Sequence, residues 1–143
     1  MRISLMAALA GLALLTSCMD PADSADGKAV KLKPTEEIRT ALGDAYWRYL
    51  ADLRRAPARN KIVGPEQVYY GKIAGGKQFT EDVYWAMGSI DIKGDRGNDG
   101  NGLHVWRKVG NGPWKYRGGD YTCPTVPGKL LKAWNRADLI CRD

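Results

Sequence analysis

Histidine and phenylalanine each occur once in the 143 residues, and cysteine three times. Each scarcity removes a class of chemistry. With His104 alone, no two-histidine metal site can form, and imidazole catalysis would have to run through that one residue. Serine is confined to Ser4, Ser17, Ser24 and Ser89. A Ser-His-Asp hydrolase would therefore need Ser89 with His104, yet no Gly-x-Ser-x-Gly turn surrounds Ser89. His-Glu-x-x-His and phosphate-loop patterns are absent as well. The loop "DIKGDRGNDGNG" gathers Asp91, Asp95, Asn98, Asp99 and Asn101, oxygen donors suited to calcium. Counted as an EF-hand from Asp95, however, it places Trp106 where a bidentate glutamate is required, and a glycine-rich hairpin turn explains the composition without an ion. The expectation is no metal and no cofactor.

The first charged residue is Arg2, and Leu5 through Leu15 carry no charge. An apolar run of roughly ten to twelve residues behind a basic start is too short for a bilayer anchor and has the proportions of a signal peptide. It ends in Leu15-Thr16-Ser17-Cys18. This tetrad resembles the lipobox of bacterial lipoproteins. The resemblance implies cleavage before Cys18, diacylglyceryl attachment and palmitate-type acylation there, and a lipid-anchored protein of the cell membrane or outer membrane. Two or three acyl chains make such attachment lasting. Removing residues 1–17 takes away only Arg2 among the charged residues, so the mature chain stays basic, one charge below the +6 of the full sequence. That balance favours anionic partners.

Residues 18–34, ending "MDPADSADGKAVKLKP", are small, polar and without apolar period; they read as a flexible tether before a single domain over 35–143. Thr35 as cap, Glu36 and Glu37 in the first turn and an apolar stripe through Leu42, Tyr46, Tyr49 and Leu53 predict a helix from about 36 to 55, with Arg54 and Arg55 in its last turn. Four aromatic and β-branched stretches predict strands at Gln67–Ile73, Val83–Ile92, Leu103–Val109 and Trp114–Tyr121. Pro127 opens a short terminal helix with Leu130, Leu131 and Trp134. The fold class expected is α+β: an N-terminal helix packed on a four-stranded antiparallel sheet, with a short C-terminal helix. The order "VYYGKI … VYWAMGSI … VWRKVGNGPWKYRG … C … VPGKLLKAW … C" is similar to small uncharacterised exported proteins of actinobacteria, a likeness that covers about residues 67–141 and implies no activity.

With Cys18 acylated, Cys123 and Cys141 are left as an even pair, and an oxidising compartment makes them a disulfide that ties the terminal helix to the sheet. A four-residue turn, Gly110 to Pro113, would set Val109 opposite Trp114, Lys108 opposite Lys115 and Trp106 opposite Arg117. Alternation then gathers His104, Trp106, Lys108, Lys115 and Arg117 on one face, a basic surface around an indole. Such a face could stack Trp106 on a sugar while its cations meet phosphate or carboxylate. An exposed polar sheet face without a ligand is the competing interpretation.

The functional expectation is a non-enzymatic envelope lipoprotein that binds an anionic glycopolymer or an acidic protein surface. The alternatives are an inhibitor or immunity-type lipoprotein, and a small wall hydrolase using carboxylates among Glu81, Asp82, Asp91 and Asp120. Nucleic acid is disfavoured by compartment. Replacing Cys18 by Ala should abolish metabolic incorporation of labelled fatty acid; a label that survives the change would remove both the anchor and the parity argument for the disulfide.

Overall fold

The computed structural model describes residues 27–75, 81–95, 102–120 and 123–141. The expected signal segment, Cys18, residues 96–101 and Tyr121 lie outside them. Five antiparallel strands form one meander in chain order: β1 (Ala29–Leu32), β2 (Ile62–Ile73), β3 (Val83–Ile92), β4 (Leu103–Val109) and β5 (Lys115–Asp120). Helix α1 (Glu36–Asp52) connects β1 to β2, and helix α2 (Gly128–Ala133) follows β5.

The sheet has five strands where the sequence predicts four, because part of the expected tether is a strand. Ala29 pairs with Ile73 and Leu32 with Tyr70. Four residues carry too little alternation to announce themselves; the free edge of β2 selects them. β2 also begins earlier than expected. The strand runs through Gly64-Pro65 with two register irregularities, between Val63 and Glu66 and between Glu66 and Tyr69.

Thr35 caps α1, its hydroxyl accepting from the Ile38 N–H at 3.3 Å. The helix ends three residues before the predicted boundary. Arg54 adopts φ 55°, its N–H donates to the Ala51 carbonyl at 2.9 Å, and the Arg55 N–H reaches back to Leu50 at 2.8 Å. That is a Schellman reversal, which satisfies the terminal carbonyls and puts both arginines beyond the last turn. α2 closes the same way: Asn135 has φ 60° and the Arg136 N–H donates to Leu131 at 2.7 Å.

Hydrophobic side chains collect on both faces of the sheet. One cluster joins Leu42, Ala45, Tyr46 and Leu50 of α1 to Ile62, Tyr70, Ala86, Ile90, Trp106 and Trp114. The other joins Leu130, Leu131 and Trp134 to Ile73, Val83, Trp85, Met87 and Val105. Alternation along β3 therefore feeds two cores. The Cys123–Cys141 disulfide, Cα atoms 5.7 Å apart, closes the terminal segment. Trp134 Nε1 donates to the Tyr70 carbonyl at 3.1 Å, and Lys129 Nζ donates to the Gly27 carbonyl at 3.1 Å.

β1, β2 and α2 approach one another closely at Gly71. A Cβ there would lie 2.7 Å from the Val30 carbonyl oxygen, 2.9 Å from Leu130 Cδ2 and 3.1 Å from Trp134 Nε1. Gly71→Val should cost about 1–3 kcal/mol through overpacking, read as a lower denaturant midpoint; an unchanged midpoint would mean that α2 and β1 do not close over this strand.

Candidate functional site

The β4–β5 hairpin stands at the end of the sheet where the chain enters, since Ala29, Ile73, Val83 and Val109 pair successively across it. Gly110, at φ 50°, donates its N–H to the Asp82 carbonyl at 2.8 Å, and the Gly112 N–H donates to Val109 at 2.9 Å. A side chain at 110 would meet Glu81, whose Cδ lies 3.1 Å from the Cβ position. Glycine's tolerance of positive φ and its lack of a side chain are both used here.

Between the turn and Trp106 the register differs by one residue from the expected one. Arg107 faces Lys115, Trp106 faces Tyr116, and a bulge follows, so Val105 faces Gly118. Trp106 and Tyr116 consequently share the α1 face. The five residues expected on one exposed face are divided. Trp106 has no exposed surface and is core. His104 is half-buried, its ring centroid 5.5 Å from Tyr46, 5.8 Å from Tyr116 and 6.2 Å from Trp106. Lys108 is half-buried too, with Nζ 4.7 Å from the Tyr84 ring centroid and 5.5 Å from that of Trp114. Lys115 and Arg117 are exposed. The expected stacking platform is thus roofed by α1.

A different grouping replaces it. Arg107, Lys108, Lys115 and Arg117 line a concavity of about 180 Å³ together with Val109, Gly112 and Pro113. No carboxylate is in the lining. Arg107, with its guanidinium carbon 5.7 Å from the Trp85 ring centroid, sits directly opposite Lys115 in the ladder. Like charges so paired are unfavourable in isolation by a few tenths of a kcal/mol up to about 1 kcal/mol. Neither Lys115 nor Arg117 makes an ion pair among the described residues. Arg107 is the residue that alternation left off the expected basic face. Its position beside the turn glycines, two residues before Val109, was the available signal.

Several ionisable groups outside the concavity engage one another. Lys72 Nζ pairs with Asp82, whose other oxygen accepts from the Gly75 N–H at 2.9 Å. The Lys72 hydrogen bond, then that of Gly75, holds the Asp82 carboxyl below the usual carboxylate range. Asp91 accepts from the Ile92 N–H at 2.7 Å. Ser89 donates to the Glu66 carbonyl at 3.4 Å. Because Gly88 pairs with His104, alternation sends Ser89 to the opposite face from the imidazole. Among the described residues no group of three His, Cys, Asp or Glu side chains could hold a metal ion.

No protein-family model matches the chain, and no curated protein or solved structure matches it either. The concavity is lined by four cationic side chains, while the half-buried histidine packs among Tyr46, Trp106 and Tyr116.

His104 Nδ1 lies 2.7 Å from the Tyr116 hydroxyl. Burial pulls the imidazole below its ordinary 6.5 and pushes the Tyr116 phenol far up, with Tyr46 and Tyr49 adding to the latter. Both groups are neutral near pH 7. The unfolded chain takes up a proton on His104 near pH 6.5 and the folded chain only at lower pH, so stability present above that value is lost as pH falls. Melting temperature should decline between pH 7 and 5 more steeply for the native protein than for His104→Gln. Parallel declines would show that other groups carry the acid sensitivity.

Proposed function

We propose that the chain is a lipid-anchored envelope protein whose domain binds an anionic partner, an envelope glycopolymer or an acidic protein surface, at the β4–β5 hairpin. The observation that carries this reading is the concavity lined by Arg107, Lys108, Lys115 and Arg117 without a carboxylate. The membrane attachment is supported by the Leu15-to-Cys18 tetrad. No helix among the described residues is long and apolar enough to cross a membrane. Three of the residues expected to bind, Lys108, Lys115 and Arg117, remain in the proposal, Arg107 joins them, and Trp106 and His104 become the packing beneath.

The work of the site is recognition. Directly opposed cations on adjacent strands are held at a spacing set by the ladder, so a phosphate or carboxylate is met by charges already in place. Attraction at a half-open surface is strong at low ionic strength and fades as the Debye length shrinks below about 10 Å.

Lys115→Glu/Arg117→Glu should abolish retention on purified anionic envelope polymer and weaken binding of inorganic polyphosphate by more than about tenfold. Melting temperature should stay close to that of the native protein, since exposed substitutions cost about 0.5 kcal/mol or less. Retention by the native protein should fall as salt is raised. Equal retention by both proteins would place recognition elsewhere on the domain.

A further inference from the structure

A second cavity, of about 290 Å³, opens between α1 and the same hairpin turn, lined by Glu37, Ile38, Ala41, Asp44, Arg48 and Trp114 with Lys108, Gly112 and Pro113. The last three residues also line the cationic concavity. The two spaces are therefore neighbours that share the turn as a wall. Their chemistry differs. The first offers four cations; the second sets two carboxylates and two cations around apolar walls, with Lys108 held over the Trp114 indole.

We propose that this second cavity is a hydroxyl-reading subsite, and that the pair holds a polymer in which phosphate alternates with a hydroxylated unit, a phosphodiester-linked polyol. The inference rests on the anion-binding reading above and adds the class of polymer. Carboxylates repel a second phosphate but accept strong hydrogen bonds from hydroxyl groups. Glu37 lies exposed on α1 and makes no ion pair among the described residues; Asp44 is already oriented, its Oδ1 accepting from Arg59 Nε at 2.8 Å. The half-buried walls of Ile38 and Ala41 suit the carbon backbone of a polyol rather than a bare inorganic chain. Lys108, common to both cavities, stands where a phosphodiester would pass between them.

Charge density alone makes inorganic polyphosphate the tighter ligand, so a preference for the polyol polymer is diagnostic. The intact protein should bind poly(glycerol phosphate) about tenfold more tightly than polyphosphate of equal phosphate number at the same ionic strength, the size expected of one charge-assisted hydrogen bond. Glu37→Gln/Arg48→Gln, which leaves the net charge unchanged, should erase that preference while polyphosphate affinity stays constant. Equal affinities in the native protein, or a parallel loss of both ligands in the variant, would overturn the second subsite. Failure of either polymer to bind, with Lys115→Glu/Arg117→Glu also silent, would instead overturn the anion-binding reading beneath it.

Discussion

Trp106 is the contact on which the remaining geometry turns. Its indole is fully enclosed in the cluster that joins α1 to the sheet, and truncating such a side chain costs about 3–5 kcal/mol. The indole Nε1 finds no acceptor among the described residues; the burial is accepted in spite of that desolvation penalty. Once Trp106 faces α1, its ladder partner Tyr116 must do so as well, and Arg107 with Lys115 must face the other way. The basic concavity is a by-product of that constraint. Cations that cannot enter the core are gathered at the hairpin because the core has claimed the intervening positions.

A sheet buried on both faces is costly in chain length for a small domain. This one manages it with two unequal helices and close approaches. α1 covers one face with Leu42, Tyr46 and Leu50; α2, only six residues long, covers the other with Leu130 and Leu131. The shorter helix is held by several independent ties: the disulfide, the Trp134 indole on the Tyr70 carbonyl, and Lys129 on the Gly27 carbonyl. Those ties bring the two ends of the described chain together. The described chain also enters the sheet at the end that carries the basic turn, so the start of β1 and the proposed site share one end of the sheet.

Much of this was legible residue by residue. Thr35 and the stripe through Leu42 and Tyr46 announce α1; Val83–Ile92 and Leu103–Val109 coincide with β3 and β4. The misreadings have physical causes. Arg54 and Arg55 look like last-turn cations, but a non-glycine residue in the left-handed region ended the helix first. Ala29–Leu32 became a strand only because β2 offered an edge. The hairpin register failed at the turn, beyond which pairing puts Arg107 opposite Lys115 and Tyr116 opposite Trp106; the bulge beside Gly118, φ 113°, then adds one residue to β5 and returns Val105 to the expected offset. Turn residues can be recognised from sequence, whereas the pair at which the ladder resumes, and the bulge that compensates for it, depend on what each face must bury.

The sequence by itself determined the class of the protein and its chemical inventory: an α+β domain, a basic balance, a single histidine and an even cysteine pair once Cys18 is set apart. These depend on composition, periodicity and parity, which are properties of the chain as written. Tertiary structure decided which aromatic residues are surface and which are core. Alternation separates two faces of a strand but carries no label for solvent, and here helices claim both. Only the packed sheet could take Trp106 and His104 out of the surface and bring Arg107 to Lys115 and Arg117, because burial is settled by what lies opposite and not by the residue itself.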